Sequence, residues 1–303
     1  MLPEELINFH PPVRQALSQG QPVVALESTV ITHGLPRPQN LEIALEMEAA
    51  VRAAGSVPAT IALLDGQLQI GLSEDQLHFL AMEAEAVKVS RRDIGPALAQ
   101  GRTGGTTVAG TMIAAHRAGI RVFATGGIGG VHRGDRADIS TDLTELARTP
   151  VVVVCAGAKS ILDLPRTLEL LETLGFPVIG WGTPNFPAFF TRSSGLPVST
   201  QANTAAEIAA ILKVQWGLQL DMGALVTVPV PRNHSVDDEE IAIALAQAES
   251  EAEEGDIQGQ ALTPFLLSRL AEITDGATLR ANLALLKQNA ERAAELSLHL
   301  AGV

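Results

Sequence analysis

Apolar residues are distributed along this chain in two patterns. Short, largely apolar runs rich in Val, Ile and Ala read as strands buried on both faces, because such strands carry near-continuous apolar runs rather than alternation. They are Pro22 to Ser28, Ile120 to Ala124, Val151 to Cys155, Pro177 to Trp181, Leu196 to Thr200 and Ala224 to Val230. Val87 to Ser90 is a shorter strand-like piece, and Ala59 to Leu64, Asp65-Gly66 and Gln67 to Ile70 spell a hairpin with a type I′ turn. Helical periodicity fills the spaces between. It predicts helices from Gln39 to Ala54 with Gly55 beyond the end, from Ser73 to Ala86, from Arg91-Arg92-Asp93 to near Gly101, and from Met112 to Ala118. Others run from Asp163-Leu-Pro165 to Leu174 and from Thr204 to Gln219, and three helical patterns finish the chain at Asp237 to Glu253, Thr263 to Ile273 and Thr278 to Leu300. Strands alternating with helices, with one hairpin, predict an α/β fold around a mixed sheet. No internal repeat or low-complexity linker divides it, so one domain over residues 1–303 is expected.

Composition narrows the function. A net charge of -13 argues against a general nucleic-acid surface, which needs clustered cations. No run of 18 or more apolar residues suggests a membrane span, and Met1-Leu-Pro-Glu-Glu lacks the basic and apolar regions of a secretory signal. The single cysteine, Cys155, precludes an intrachain disulfide and sits in an apolar strand as a packing residue. A cytoplasmic protein that uses no nucleic acid and no membrane is expected.

Positive charge is carried almost wholly by arginine. Of 21 basic residues only Lys88, Lys159, Lys213 and Lys287 are lysines, and the last two lie in helical patterns. Lys159 ends Val151-Val-Val-Val-Cys155-Ala156-Gly157-Ala158, a buried strand and a small-residue turn at the edge where open α/β sheets bind ligands. Apolar surroundings favour a neutral amine, and a neutral amine attacks carbonyl carbon. The competing reading is a solvated loop lysine. Glu27 likewise ends an apolar strand, where burial would make its carboxyl a proton donor, unless an arginine pairs with it.

Two glycine-rich segments offer binding surfaces. Thr103-Gly-Gly-Thr-Thr-Val-Ala-Gly-Thr111 brings freed amides and hydroxyls to a helix start, an anion site without the ending of a nucleotide P-loop; Lys88 and Arg91-Arg92 just upstream favour a phosphate. Gly126-Gly-Ile-Gly-Gly-Val-His-Arg-Gly134 is only loosely like a dinucleotide fingerprint. Asp135, Asp138 and Asp142 follow it, carboxylates that by themselves read first as a solvated acidic loop and second as ligands for Mg²⁺ or Mn²⁺. Asn282 and Asn289 share one face of the last helix, to satisfy buried backbone or to bond a ligand beneath it.

In order along the chain, the Glu27-Ser-Thr-Val-Ile-Thr-His-Gly-Leu-Pro, Lys88-Val-Ser-Arg-Arg-Asp, Thr103 to Thr111, Gly126 to Gly134, Asp138-Ile-Ser-Thr-Asp-Leu and Cys155-Ala-Gly-Ala-Lys-Ser-Ile-Leu-Asp blocks resemble the pseudouridine-5′-phosphate glycosidase family, related to indigoidine synthase A-like proteins. The resemblance implies a three-layer α/β/α fold, a homotrimer, and reversible cleavage of the C–C glycosidic bond of pseudouridine 5′-phosphate to uracil and ribose 5-phosphate. It implies a bound Mn²⁺, with Mg²⁺ the alternative, and no organic cofactor. By the same matching, Lys159 is the covalent nucleophile forming a Schiff base, Glu27 the proton donor and Asp138 the metal ligand. The segment before Asp138 is shorter than the family's pattern, which keeps Asp135 as the alternative ligand. Lys88, Thr107, Val108, Ser140, Thr141, Asp142, His132 and Asn282 are the implied substrate contacts. Two rival functions share these features: a class I aldolase-like lyase acting on another sugar phosphate, and a noncatalytic sugar-phosphate-binding protein.

Overall fold

The computed structural model describes residues 6–134, 138–257 and 259–302. Its strands are β1 (Ile7–Phe9), β2 (Val23–Leu26), β3 (Val57–Leu64), β4 (Gln67–Ile70), β5 (Val87–Val89), β6 (Gly104–Thr106), β7 (Val122–Ala124), β8 (Val152–Cys155), β9 (Val178–Trp181), β10 (Thr200–Ala202) and β11 (Ala224–Thr227). They form one mixed sheet with the order β1-β4-β3-β2-β7-β8-β11-β9-β10, while β6 pairs with β3 and β5 with β6. From β3 through β10 every neighbour along that order is parallel, and β2, β7, β8 and β11 are buried at every residue. That is why the sequence shows them as unbroken apolar runs. The antiparallel exceptions are β3 with β4 and β3 with β6. The hairpin turns through Asp65 and Gly66 at φ 49° and 72°, as the type I′ pattern requires.

The helices are α1 (Pro11–Ser18), α2 (Gln39–Ala53), α3 (Glu74–Met82), α4 (Ile94–Ala99), α5 (Val108–Ala118), α6 (Thr141–Leu146), α7 (Leu164–Thr173), α8 (Ala205–Gly217), α9 (Asp238–Glu254), α10 (Leu262–Ile273) and α11 (Ala277–Leu300). Helix α11 packs on β2, β7 and β8 with α2 and α8 alongside, whereas α5 covers β2, β3 and β7 from the other face with α6 beside it. The result is the expected three-layer α/β/α arrangement. No helix among the described residues is long and apolar enough to cross a membrane.

Several boundaries move for local reasons. Helix α3 stops at Met82 rather than Ala86, because Arg37 and Asn40 take the carbonyls of Ala81 and Met82 and the Glu83 carboxylate accepts the Glu85 N–H. Its start is as predicted, with Ser73 and Gln76 forming a capping box. Helix α5 begins four residues before Met112, since Thr107 accepts the Gly110 N–H and Asp142 accepts that of Ala109. Strand β10 starts at Thr200, beyond Pro197, which has no N–H to give a ladder. Strand β1, α1 and α6 are additions to the sequence reading, too short for their periodicity to show.

This topology fixes where a ligand can sit. The chain leaves β2 through α2 to reach β3 on one side, and leaves β7 to reach β8 on the other, so the direction of winding reverses between β2 and β7. In open α/β sheets the crevice at the carboxyl ends of such strands is the binding site.

Candidate active site

Three adjacent strands deliver their first following residues to that crevice: Glu27 after β2, Thr125 after β7, and Ala156 to Lys159 after β8. The β8 turn is held against the glycine-rich loop by an Ile128–Ala158 bridge, and the Lys159 N–H donates to the Ile128 carbonyl at 3.2 Å. Gly157, at φ 87°, lies where a Cβ would strike the Pro187 carbonyl and the Phe186 ring. Lys159 is half-buried and acts electrostatically on Glu27, Lys88 and His132.

Glu27 accepts a hydrogen bond from the Thr125 hydroxyl, and no arginine pairs with it among the described residues. Burial raises its pKa above the ordinary carboxyl value; Lys159 and the Thr125 bond oppose the rise without cancelling it, and Asp142 adds to it. A carboxyl in that state holds its proton to higher pH and can donate it. The Lys88 ammonium moves the other way, pushed below its usual range by burial and then by Lys159. Lys88 comes from β5, where it lies opposite Gly105 of β6.

The segment Thr103 to Thr111 is more closed than an empty anion cradle. The Thr106 N–H donates to Ser28 Oγ at 2.9 Å, the Thr107 N–H to the Val89 carbonyl, and the Gly110 N–H to Thr107 Oγ1 at 3.3 Å. The buried Asp142 carboxylate takes the Ala109 N–H at 3.0 Å and, through its other oxygen, the Gly129 N–H at 2.9 Å. One carboxylate therefore stands at the α5 N-terminus and ties it to the second glycine loop. Among the described residues the Val108 N–H is left unpaired, which fits a substrate contact made by backbone. A Cβ on Gly129 would strike Ser140 Oγ and Asp142, so the glycines of this loop serve close packing, not a dinucleotide. Arg91 is paired within the fold: its guanidinium grips buried Glu145 at 2.5 and 2.8 Å. Arg92 is exposed beside Asp93.

Ser140 caps α6 by accepting the Asp142 N–H, and Thr141 lies exposed in its first turn. His132 is half-buried, and its pKa falls through burial, Asp138 opposing and Lys159 and Lys88 adding. Asn289 is fully buried, with its amide on the Thr125 and Gly126 carbonyls, so it anchors α11 to the loop after β7. Asn282, one face-repeat earlier, instead lines a cleft of about 270 Å³ beside His33 and Phe190. A second cleft, about 550 Å³, runs along Lys88 and His33, and a third, about 540 Å³, along His132 and Asp138; α10 borders all three through Pro264 or Leu262 and Leu266. A groove of about 580 Å³ between α7 and residues 196–199 holds none of the candidate residues. Cys155 is inert: fully buried, its thiol is pushed up to about 12 by desolvation.

Asp135 lies outside the described residues, and among those described no group of three or more His, Cys, Asp or Glu side chains could hold a metal. Asp138 is exposed, with His132 for an electrostatic neighbour. That donor set fits a hard, largely hydrated cation held through one carboxylate, not a closed protein cage.

Thr125 and His33 went unremarked in the sequence. Thr125 had a signal, since like Glu27 it directly follows a short apolar run, here Val122 to Ala124. His33 had none beyond its place in the first block.

The family described as Indigoidine synthase A like protein matches residues 12–299. Pseudouridine-5′-phosphate glycosidases of Methylobacterium nodulans and Solibacter usitatus are 55% and 53% identical to the chain, over 99% and 97% of it and 90% and 99% of their own lengths. The crystal structure of the prealnumycin C-glycosynthase AlnA in complex with ribulose 5-phosphate superposes with a TM-score of 0.91 at 40% identity, over 99% of this chain and 98% of that one. An indigoidine synthase A-like protein of Thermotoga maritima gives 0.89 at 39% identity, covering 97% and 96%. The chain therefore belongs to the family its sequence blocks resemble, that of the pseudouridine-5′-phosphate glycosidases and indigoidine synthase A-like proteins, and like them it is an enzyme.

Proposed function

We propose that this enzyme reversibly cleaves the C–C glycosidic bond of pseudouridine 5′-phosphate, giving uracil and ribose 5-phosphate through a Schiff base on Lys159. The observation that carries the reading is the meeting of a half-buried lysine with a carboxyl, Glu27, whose pKa burial raises, at the switch point of the sheet. The names of the relatives support the substrate, and the ribulose 5-phosphate bound by AlnA supports a pentose phosphate in this fold.

The chemistry needs both groups. Carbon C5 of uracil is a poor leaving group, and protonating a ring oxygen alone does not expel it. Glu27 gives its proton to O4′ as the C1′–O4′ bond opens, and the Lys159 lone pair forms a bond to C1′. The nitrogen then loses a proton to the Glu27 carboxylate. Its lone pair makes C1′=N while the C1′–C5 bond breaks, and the electron pair left on C5 takes that proton back from Glu27. Water hydrolyses the protonated imine, releasing ribose 5-phosphate, and the extra proton left on the Lys159 nitrogen returns to the Glu27 carboxylate, restoring both groups. Lys88, the Val108 N–H, Ser140, Thr107 and His132 are the polar groups at hand for the sugar phosphate. Mn²⁺, or Mg²⁺ in its place, would be held by Asp138 and supply positive charge for binding the anionic substrate. The homotrimer and cytoplasmic location belong to the same proposal.

Uracil release from pseudouridine 5′-phosphate tests the reading. Turnover is expected with this substrate; cleavage of other sugar phosphates without it would favour the aldolase-like alternative, and binding without turnover the noncatalytic one. Chelation is expected to abolish activity and Mn²⁺ to restore it, so full activity in metal-free enzyme would remove the metal from the account.

A further inference from the structure

His33 has a position that the reaction above does not use. It lies in a π-helical turn, Val30–Gly34, immediately after the Glu27 segment; single turns of this kind are frequent at functional sites. The turn is fixed from several sides. Asn40 Nδ2 donates to the Ile31 carbonyl at 2.8 Å, the Ile31 and Thr32 N–H groups donate to the Ser28 carbonyl, and Thr29 Oγ1 donates to the Gly105 carbonyl at 3.3 Å. A Cβ on Gly105 would strike Thr32 Oγ1, so β6 comes as close to this turn as a glycine allows. The half-buried imidazole thus has a set place, yet its one hydrogen bond among the described residues is to its own neighbour, Nδ1 to Thr32 Oγ1 at 2.7 Å. A ring that fastens no second element has little structural duty.

The ring faces ligand space on two sides. It lines both the cleft with Lys88 and the cleft with Asn282, where apolar walls from Leu35, Phe190 and Leu279 surround a few polar groups. Such a lining suits a flat neutral heterocycle better than a phosphate. Burial, and then Lys88, hold the imidazole below its usual pKa, so it is neutral near pH 7 and poorly suited to bind an anion. The Thr32 hydroxyl, which also donates to the Ser28 carbonyl at 3.3 Å, engages Nδ1 at 2.7 Å. Nε2 is therefore the ring nitrogen left for a ligand, as donor or acceptor according to the tautomer.

We propose that His33 is a base-reading residue, whose Nε2 hydrogen-bonds the polar edge of a uracil held in the cleft between the π-helical turn, α10 and α11. The inference rests on the proposed function and adds a specificity-determining contact to it.

The reverse reaction separates the two substrates. With uracil and ribose 5-phosphate varied independently, His33→Ala is expected to raise the KM for uracil about tenfold, as for loss of one hydrogen bond, with the KM for ribose 5-phosphate within about twofold of wild type. His33→Asn keeps an amide in reach of Thr32 but lacks the Nε2 position, and is expected to share the uracil defect. His33→Gln, whose amide reaches that position, is expected to recover most of the affinity. Both amide variants remain informative if the alanine variant fails to fold. A defect confined to ribose 5-phosphate, a fall in kcat with both KM values unchanged, or wild-type constants throughout would overturn the inference. A wild-type enzyme that joins no uracil to ribose 5-phosphate would instead overturn the proposed function itself.

Discussion

Glu27 and Glu145 are both shielded carboxyl groups, and their surroundings could hardly differ more. Glu145 is fully buried on α6, accepts two hydrogen bonds from the Arg91 guanidinium and a third from the Thr149 hydroxyl. Its charge is matched and its oxygens are occupied. Glu27 has one neutral donor, Thr125, and is otherwise favoured in its charged form only by the charges of Lys159 and Lys88. Burial raises its pKa because nothing holds its charged form as a guanidinium would. A structural carboxylate is given a partner; a proton donor is kept without one.

Loss of either reacting group should produce the largest effects. Lys159→Ala is expected to cut kcat by on the order of 10⁴-fold with the fold intact by circular dichroism, as for removal of a covalent nucleophile. Glu27→Gln, which keeps the shape but not the proton, is expected to lower kcat by about 10²- to 10⁴-fold. Residual activity of Glu27→Gln near wild type would dissolve the contrast with Glu145.

Glu145→Ala should do the opposite, leaving kcat per folded molecule within about twofold while lowering stability. Breaking a buried pair costs about 3–5 kcal/mol, and because Arg91 is half exposed the loss here should be nearer 2–3 kcal/mol, read by chemical denaturation.

The smallest effect is a linkage. A carboxyl whose folded pKa is raised binds its proton more tightly in the folded than in the unfolded chain. Its ionisation therefore destabilises the fold as pH rises from the unfolded value, about 4.3, through the raised folded value. Glu27→Gln should then match wild type below that window and exceed it in stability above, a gain of the kind expected when a strained functional group is removed. Equal stability differences at pH 4 and pH 8 would show that burial of Glu27 carries no such cost.

Much of this site was legible because its reacting residues directly follow strands that the sequence marks plainly. Glu27 and Lys159 each come at or just beyond the end of an apolar run, and parallel strands bring those ends together. What stayed hidden depends on pairing across the chain. Arg91 read as a phosphate ligand because Glu145, its partner, is 54 residues away; Asp142 read as a free carboxylate because the amides it fills lie 13 and 33 residues off. The π-helical turn that presents His33 has no compositional signature at all. Fold and nucleophile could be read from local pattern, whereas the division of charged groups between structure and chemistry required the tertiary contacts.

The central claim is that Lys159 becomes bonded to the sugar. Incubating the enzyme with ribose 5-phosphate and borohydride, then measuring intact mass and mapping the modified peptide, tests it directly. The account predicts one added pentose phosphate, less one water and plus two hydrogens, on Lys159 and absent from Lys159→Ala. An active enzyme that takes up no mass, or takes it up on Lys88 instead, would contradict it.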